Sequence, residues 1–221
     1  MDYTWNFAPL FDNYIVLLRG LGTTALLWAI AFPLCMLLGL LIGLARLSRN
    51  PLIAWTARGY VEVFRNIPIL VQLVWFFYAM PILLGVQLSP FTAALFGLVL
   101  NSSAYAAEIF RGGMLSIPRG QWEGAKALGM TRARALRRVV LPQVMRRMLP
   151  AFTNRGIELA KNTSVASVIT VHELMYQGRW LSTVYFNPLE TFTILALVYF
   201  LLIYPGTYLA SRLEKRYLQR Q

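Results

Sequence analysis

Charge, histidine and cysteine are all scarce in this chain, and each scarcity closes off a class of function. Of its 221 residues only 14% are charged while 57% are hydrophobic, against roughly 25% charged in an ordinary soluble domain. That balance suits lipid rather than water as the main solvent. One histidine, His172, and one cysteine, Cys35, supply neither a metal-ligand set nor a Cys/His nucleophile–base pair. Cys35 falls midway along an apolar run and reads as a small packing residue. The sequence holds no G-x-S-x-G, no H-E-x-x-H and no G-x-x-x-x-G-K-S/T, so it lacks a phosphate-cradling loop and no cofactor is expected in this chain. A membrane enzyme would have to work with His172 and Glu173 alone. A polar residue at a helix end is the simpler role for His172.

Acidic residues are also few: 9 Asp and Glu face 21 Lys and Arg, a formal net charge of +12. Such an excess belongs either to a nucleic-acid binder or to the cytoplasmic loops of a membrane protein, and the placement of the charges decides. No charge occurs over the 26 residues from Gly20 to Ala45. Another 42 uncharged residues lie between Arg65 and Glu108, punctuated by Met80–Pro81, Gly85 and Ser89–Pro90, and 21 more run from Thr191 to Ser211. A bilayer core takes about 20 apolar residues per helix, so these runs supply one, two and one spans. Met148 to Val171 reads as a fifth, although it carries Arg155, Glu158 and Lys161.

Seventeen of the 21 basic residues then share one side. Arg46, Arg49, Arg58 and Arg65 follow the first span, nine more from Arg111 to Arg147 follow the third, and Arg212, Lys215, Arg216 and Arg220 follow the fifth. The positive-inside rule places that side, with the C-terminus, in the cytoplasm and the N-terminus outside. The basic excess is topological, and no nucleic-acid partner is needed to explain it. Asp2, with no Lys or Arg before Arg19, argues against the basic start of a cleavable signal. Trp5, Phe7, Leu10, Phe11 and Tyr14 recur at roughly helical spacing and predict an interfacial helix at the outer surface.

A charge in hydrocarbon costs about 2.5 kcal/mol or more, so ions within spans are functional candidates. Asn101, Tyr105 and Glu108 share one face of the third span, and Arg155, Glu158 and Asn162 share one of the fourth, with Lys161 beside Asn162. Both stripes suit a wet path for a zwitterionic solute: carboxylates for its ammonium, Lys, Asn and helix amides for its carboxylate. The candidate path is Lys161, Asn162, Thr163, Ser164 and Glu108. The bland alternative has Glu108, Glu158, Arg155 and Lys161 pairing to glue helices together, with Glu158–Lys161 as an i, i+3 pair. That structural role is favoured for Arg155 and Glu158. Pro33, Pro68 and Pro81 interrupt spans and free backbone groups that need partners inside protein or a cavity.

The stretch QWEGAKALGMTRARALRRVVLPQV, Gln121 to Val144, is basic and water-friendly in an oily chain. Gly129 stands at a left-handed helix stop and Thr131 can cap a second helix. Trp122, Ala125 and Leu128 form an apolar side on the first helix, as do Leu136, Val140 and Val144 on the second. The result is a knob of two short helices, after which Pro142 and Pro150 restrict the return to the membrane. Acidic lipid or a protein could bind it; Trp122, Glu123 and Gly124 in succession favour protein.

Glu123-Gly124-Ala125, then Gly129, then Val139, Leu141 and Pro142, resembles the loop signature of ABC importer permeases: E-A-A, three residues, G, nine residues, I-x-L-P. Gly124 and Val139 depart from it. The segments from Gly20 to Ser48, from Tyr60 to Pro81 and from Asn101 to Met130 look like permeases for polar amino acids. KNTSVASVITVHELM, from Lys161 to Met175, further resembles the glutamate/aspartate branch.

The resemblance implies an all-α membrane protein of the ABC type I importer permease fold. It would have five transmembrane helices, an N-terminal interfacial helix and a cytoplasmic coupling helix pair. Residues 1–221 would form one permease domain, with the coupling loop at 116–145. It implies docking on an ABC ATPase subunit dimer through Trp122, Glu123, Gly124, Ala125, Leu128 and Gly129, with ATP and Mg bound by that partner and not by this chain. A second permease, identical or homologous, and a periplasmic or extracellular amino-acid-binding protein would complete the assembly in the lipid of a bacterial inner membrane. The chain would move glutamate or aspartate by alternating access, not as an enzyme. A solitary secondary transporter fits poorly, because five spans with no detectable inverted repeat make a weak self-sufficient carrier.

Overall fold

The computed structural model describes residues 3–218, with side chains described as far as Arg212. Asp2 and Arg220, used in the charge reading, lie outside the described residues, as do the side chains of Lys215 and Arg216. Among the described residues there is no strand. The helices run α1 (Ala8–Asp12), α2 (Tyr14–Arg46), α3 (Pro51–Asn66) and α4 (Ile69–Val74), which passes through a π-helical turn into α5 (Met80–Leu84). Then come α6 (Pro90–Leu115), α7 (Arg119–Ala127), α8 (Arg132–Ala135) and α9 (Leu141–Asn162), followed by a 3-10 helix, Thr163–Ile169, and by α10 (Leu174–Tyr185) and α11 (Pro188–Leu218).

Among the described residues three helices are long and apolar enough to cross a membrane: α2, α6 and the Pro188–Arg212 part of α11. A fourth crossing requires α3 and Ile69–Leu84 to count as one broken span, and these meet at 103°. The expected fifth span, 148–171, is the charged second half of α9 plus the 3-10 helix, so length and composition alone do not reach five. The basic loop after the first span is itself helical. Asn50 caps α3, its Oδ1 accepting from Leu52 N at 3.0 Å, and Pro51 fits the first turn. Pro68 ends it by forcing Ile67 into extended backbone, φ −92° and ψ 128°.

The N-terminal interfacial helix is shorter than its aromatic spacing predicts. Among the described residues only Ala8–Asp12 is helical before α2. Tyr3 Oη donates to Glu190 Oε2 at 2.6 Å and Asn6 N to Glu190 Oε1 at 2.8 Å, which straps the start of the chain to α11. The Glu190 hydrogen bond raises the Tyr3 phenol pKa above its ordinary value.

The main seam joins α2 to α6. Gly39 and Gly43, one turn apart, allow it: a Cβ on Gly39 would lie 2.5 Å from Ala106 Cβ, and one on Gly43 2.9 Å from Phe110 Cβ. Small residues let helix backbones approach where no hydrophobic force distinguishes protein from lipid. Leu27, Cys35, Leu73, Leu98, Leu159 and Ile169 form the main buried cluster, so Cys35 packs as read. Around it Ile82, Leu83 and Leu201 are among many large apolar side chains left exposed, as a lipid-facing surface requires.

The knob has the predicted local chemistry. Gly129 is left-handed at φ 71°, and Thr131 Oγ1 accepts from Arg134 N at 3.4 Å. Its second helix, however, is not a separate short one. α8 passes through a π-helical turn, Leu136–Val140, straight into α9. Pro142 falls immediately after that π-helical turn, where the hydrogen-bond ladder is already shifted, and the helix runs on through it.

Candidate functional site

The two polar stripes meet. Asn101 and Tyr105 from α6, Arg155, Glu158, Lys161 and Asn162 from α9, and Arg65 to Ile69 at the break after α3 line one cavity of about 460 Å³. Its most deeply buried charged group is Arg155, whose side chain is 5% exposed. Arg155 Nη1 donates to Glu158 Oε2 at 2.9 Å, and Nη2 donates to Ser102 Oγ at 2.9 Å and to Asn101 Oδ1 at 3.4 Å. Its guanidinium lies over the Tyr105 ring, 4.2 Å from the centroid, and that of Arg65 is 5.1 Å from the same ring. The expected Glu158–Lys161 pair is replaced by Glu158–Arg155, because Arg155 is the cation fixed in place by α6. Lys161 is exposed and makes no ion pair among the described residues. The lining thus carries three cations, Arg65, Arg155 and Lys161, and one carboxylate.

The other path candidates separate. Asn162 lines this cavity half-buried. Thr163 is wholly buried, its hydroxyl donating to Ala160 O at 2.7 Å. Ser164 donates to Lys161 O at 2.7 Å and faces, with Lys161, a second groove along α11 beside Tyr199, Tyr204 and Thr207. Glu108 is not in the cavity. It forms ion pairs with Arg46 of α2 and with Arg111 at 2.8 Å, and lies 3.9 Å from Arg65 of α3. That carboxylate ties three helices together.

His172 and Glu173 part company. His172 is exposed and stacks on Tyr176 at 4.4 Å, whereas Glu173 is wholly buried. Glu173 caps α10 by accepting from Tyr176 N at 2.7 Å, and accepts from Tyr199 Oη at 2.9 Å and Thr24 Oγ1 at 3.3 Å. Its polar valences are spent on three helices, so the pair offers no catalytic geometry.

On the knob, Ala125 is buried and Trp122 packs against the cluster formed by Ile117, Val140, Val144 and Met148. Glu123 and Gly124 are exposed, and Leu128 is 78% exposed. A groove of about 640 Å³ runs between the two helices, lined by Arg119, Trp122, Glu123, Lys126, Met130, Arg132 and Ala135. The apolar side expected of Trp122, Ala125 and Leu128 is therefore divided: the first two hold the knob together and Leu128 is presented outward. Arg147 Nη1 donates to Ser116 O and fastens α9 to the start of the knob.

Residues missed by sequence reasoning are those at the break after α3. Gln72 Nε2 donates to Phe64 O at 2.9 Å and Ile67 O at 2.8 Å. Asn101 Nδ2 donates to Phe64 O at 2.8 Å and Tyr105 Oη to Arg65 O at 3.3 Å. Pro68 was the available signal, since a proline-broken span must find partners for its freed carbonyls.

A family model described as binding-protein-dependent transport system inner membrane component matches residues 35–219. The chain is 34% identical over 216 residues to the probable amino-acid ABC transporter permease protein YckA of Bacillus subtilis (strain 168), covering 98% of this chain and 95% of that one. It is 34% identical over 217 residues to the glutamine transport system permease protein GlnP of Escherichia coli (strain K12), covering 98% of each. A crystal structure of an amino acid ABC transporter with histidines superposes with TM-score 0.90 at 34% identity, covering 97% of this chain and 100% of that one.

Proposed function

The chain belongs to the family of binding-protein-dependent transport system inner membrane components, and on that premise we propose how this permease subunit of an amino-acid ABC importer works and what it carries. It moves an acidic amino acid inward across a bacterial cytoplasmic membrane, as glutamate or aspartate. The crossings are five, with the broken α3–α5 unit and α9 completing those supplied by α2, α6 and α11. The N-terminus is outside and the C-terminus inside. The chain works as one domain with a coupling loop at 116–145. It binds no ATP; an ATPase dimer holds ATP and Mg, a second permease completes the path and a binding protein delivers the solute.

The observation that carries the mechanism is the continuous helical run from Arg132 to Asn162. At 1.5 Å per residue it reaches about 46 Å, with the docking knob at one end and the cavity at the other. A displacement of Glu123, Gly124, Leu128 or Gly129 by the ATPase moves the α8–α9 rod, and with it Arg155, Lys161 and Asn162. Trp122 and Ala125 keep the knob from shearing off the rod.

The acidic substrate is supported by the cavity's charge. Glu158 is paired to Arg155, and Arg65 lies 3.9 Å from Glu108, which leaves Lys161 to meet a carboxylate beyond the one common to all amino acids. GlnP, whose name specifies glutamine, marks the uncharged competitor. Uptake of labelled glutamate and glutamine into vesicles holding the whole importer tests the assignment. Lys161→Glu is expected to lower glutamate uptake at least tenfold and to spare glutamine relative to it. Equal loss of both, or unchanged glutamate uptake, contradicts the acidic reading.

A further inference from the structure

Three helices end their polar business at one amide. Asn101 on α6 accepts from Arg155 on α9 through Oδ1 at 3.4 Å, and through Nδ2 donates at 2.8 Å to Phe64 O, a carbonyl left free at the C-terminus of α3. An α-helix leaves its last carbonyls without intrahelical partners, and here the chain turns by 103° just beyond them. Ile67 and Pro68 are both extended at the turn. Gln72, Asn101 and Tyr105 take up Phe64 O, Arg65 O and Ile67 O. Two of those three side chains also contact Arg155.

Arg155 has donor capacity to spare. It is 5% exposed, it lines the cavity, and its Nε has no hydrogen-bond partner. An unfilled donor on a buried cation is costly and calls for an acceptor to arrive. Of the bonds Arg155 already makes, that to Asn101 is the longest and so the first to yield.

We propose that Asn101 is a positioning residue that reports occupancy of the Arg155 guanidinium to the helix break at Ile67–Pro68. A carboxylate taking Arg155 competes with Asn101 Oδ1. The released amide reorients, its grip on Phe64 O weakens, and α3 and α4 change their angle. Tyr105 acts beside it, with Arg155 over its ring and its hydroxyl on Arg65 O. This assignment rests on the cavity being the substrate's, as proposed above. It adds that α3–α4 is the element that senses loading, separate from the α8–α9 rod that answers the ATPase.

The test uses the permease assembled with its ATPase in lipid nanodiscs, carrying Cys35→Ala and spin labels at Thr56 and Leu83, both exposed, on either arm of the break. Inter-label distances are measured without ligand and with saturating L-glutamate or L-glutamine, alongside binding of the radiolabelled amino acids. The bound amino acid is expected to shift the wild-type distance distribution. Asn101→Asp keeps the shape, loses the donor to Phe64 O and sets a carboxylate beside Arg155; it is expected to weaken binding and, with the amino acid raised until it is bound, to abolish the shift. Tyr105→Phe, which removes one oxygen, is expected to diminish the shift and serves if Asn101→Asp fails to assemble. A shift that survives both variants, or no shift in wild type with amino acid bound, overturns the role of Asn101 and leaves the cavity standing. Undiminished binding by Arg155→Gln overturns the cavity and with it this assignment, and so does absence of binding of either amino acid.

Discussion

Glu108→Gln separates a structural carboxylate from a substrate ligand. The side chain is 20% exposed and faces Arg46, Arg65 and Arg111, of which Arg46 is 9% exposed and the others 40% and 34%. Replacing the carboxylate by an amide of equal size removes the counter-charge the three guanidiniums share and leaves Glu62 as the acidic group acting on Arg46. Stranding one partner of a buried pair costs about 3–5 kcal/mol, and exposed pairs contribute only about 0–1 kcal/mol. Arg46 therefore sets the magnitude. If it stays in place the loss is about 3 kcal/mol; if its stem lets it reach water, the loss falls to about 1 kcal/mol. Reversible unfolding in SDS reads the change, and uptake kinetics read the site. The expected outcome is a destabilised permease whose KM for its amino acid is unchanged. Arg46→Met in the same chain should restore most of the loss, since an apolar replacement of a buried pair is often neutral. A loss below about 0.5 kcal/mol together with a raised KM would refute the structural role and return Glu108 to the path.

Other perturbations read different parts of the fold. Gly39→Ala must push Ala106 away from a 2.5 Å approach, so it should cost about 1–3 kcal/mol in SDS unfolding. Gly22→Ala on the same helix meets nothing within 4 Å and should be neutral or gain about 0.5–1 kcal/mol; equal stability of the two would contradict the close α2–α6 seam. Phe186 holds φ 54° while 88% exposed. Phe186→Gly should therefore gain up to about 1 kcal/mol by relieving left-handed backbone, and a clear loss would mean that Phe186 packs against lipid or a second subunit.

What could be read from the sequence was what depends on neighbours in the chain. Gly129 and Thr131 mark the knob because turn and cap chemistry acts over a few residues. α2, α6 and α11 were legible as long uncharged runs. α3 hid among basic residues assigned to a loop, although Asn50–Pro51 was a legitimate helix start. The cavity was half legible: each stripe followed from helical periodicity, but their meeting depends on how α6 packs on α9, which periodicity does not contain. Arg155 reads as structural in the sequence and is both that and part of the cavity lining, because its partners Asn101 and Ser102 stand more than 50 residues away. Glu108 shared a face with Tyr105 and yet is claimed by Arg46 and Arg65, charges brought in by two other helices. The unbroken passage of α8 into α9 ran against two prolines, Pro142 just after the π-helical turn and Pro150 inside α9.

The proposed mechanism has ATP hydrolysed by a partner drive transport through the knob. The most direct measurement is ATP-dependent uptake of labelled amino acid into proteoliposomes containing the permease, its ATPase and its binding protein, with wild type compared to Glu123→Arg. Glu123 is exposed and lines the groove between the knob helices, so its replacement should leave the membrane fold intact. Uptake is expected to fall to the ATP-free background, with ATPase co-purification lost or hydrolysis uncoupled. Wild-type uptake with the ATPase still bound to Glu123→Arg, and to Gly129→Pro, would contradict the mechanism.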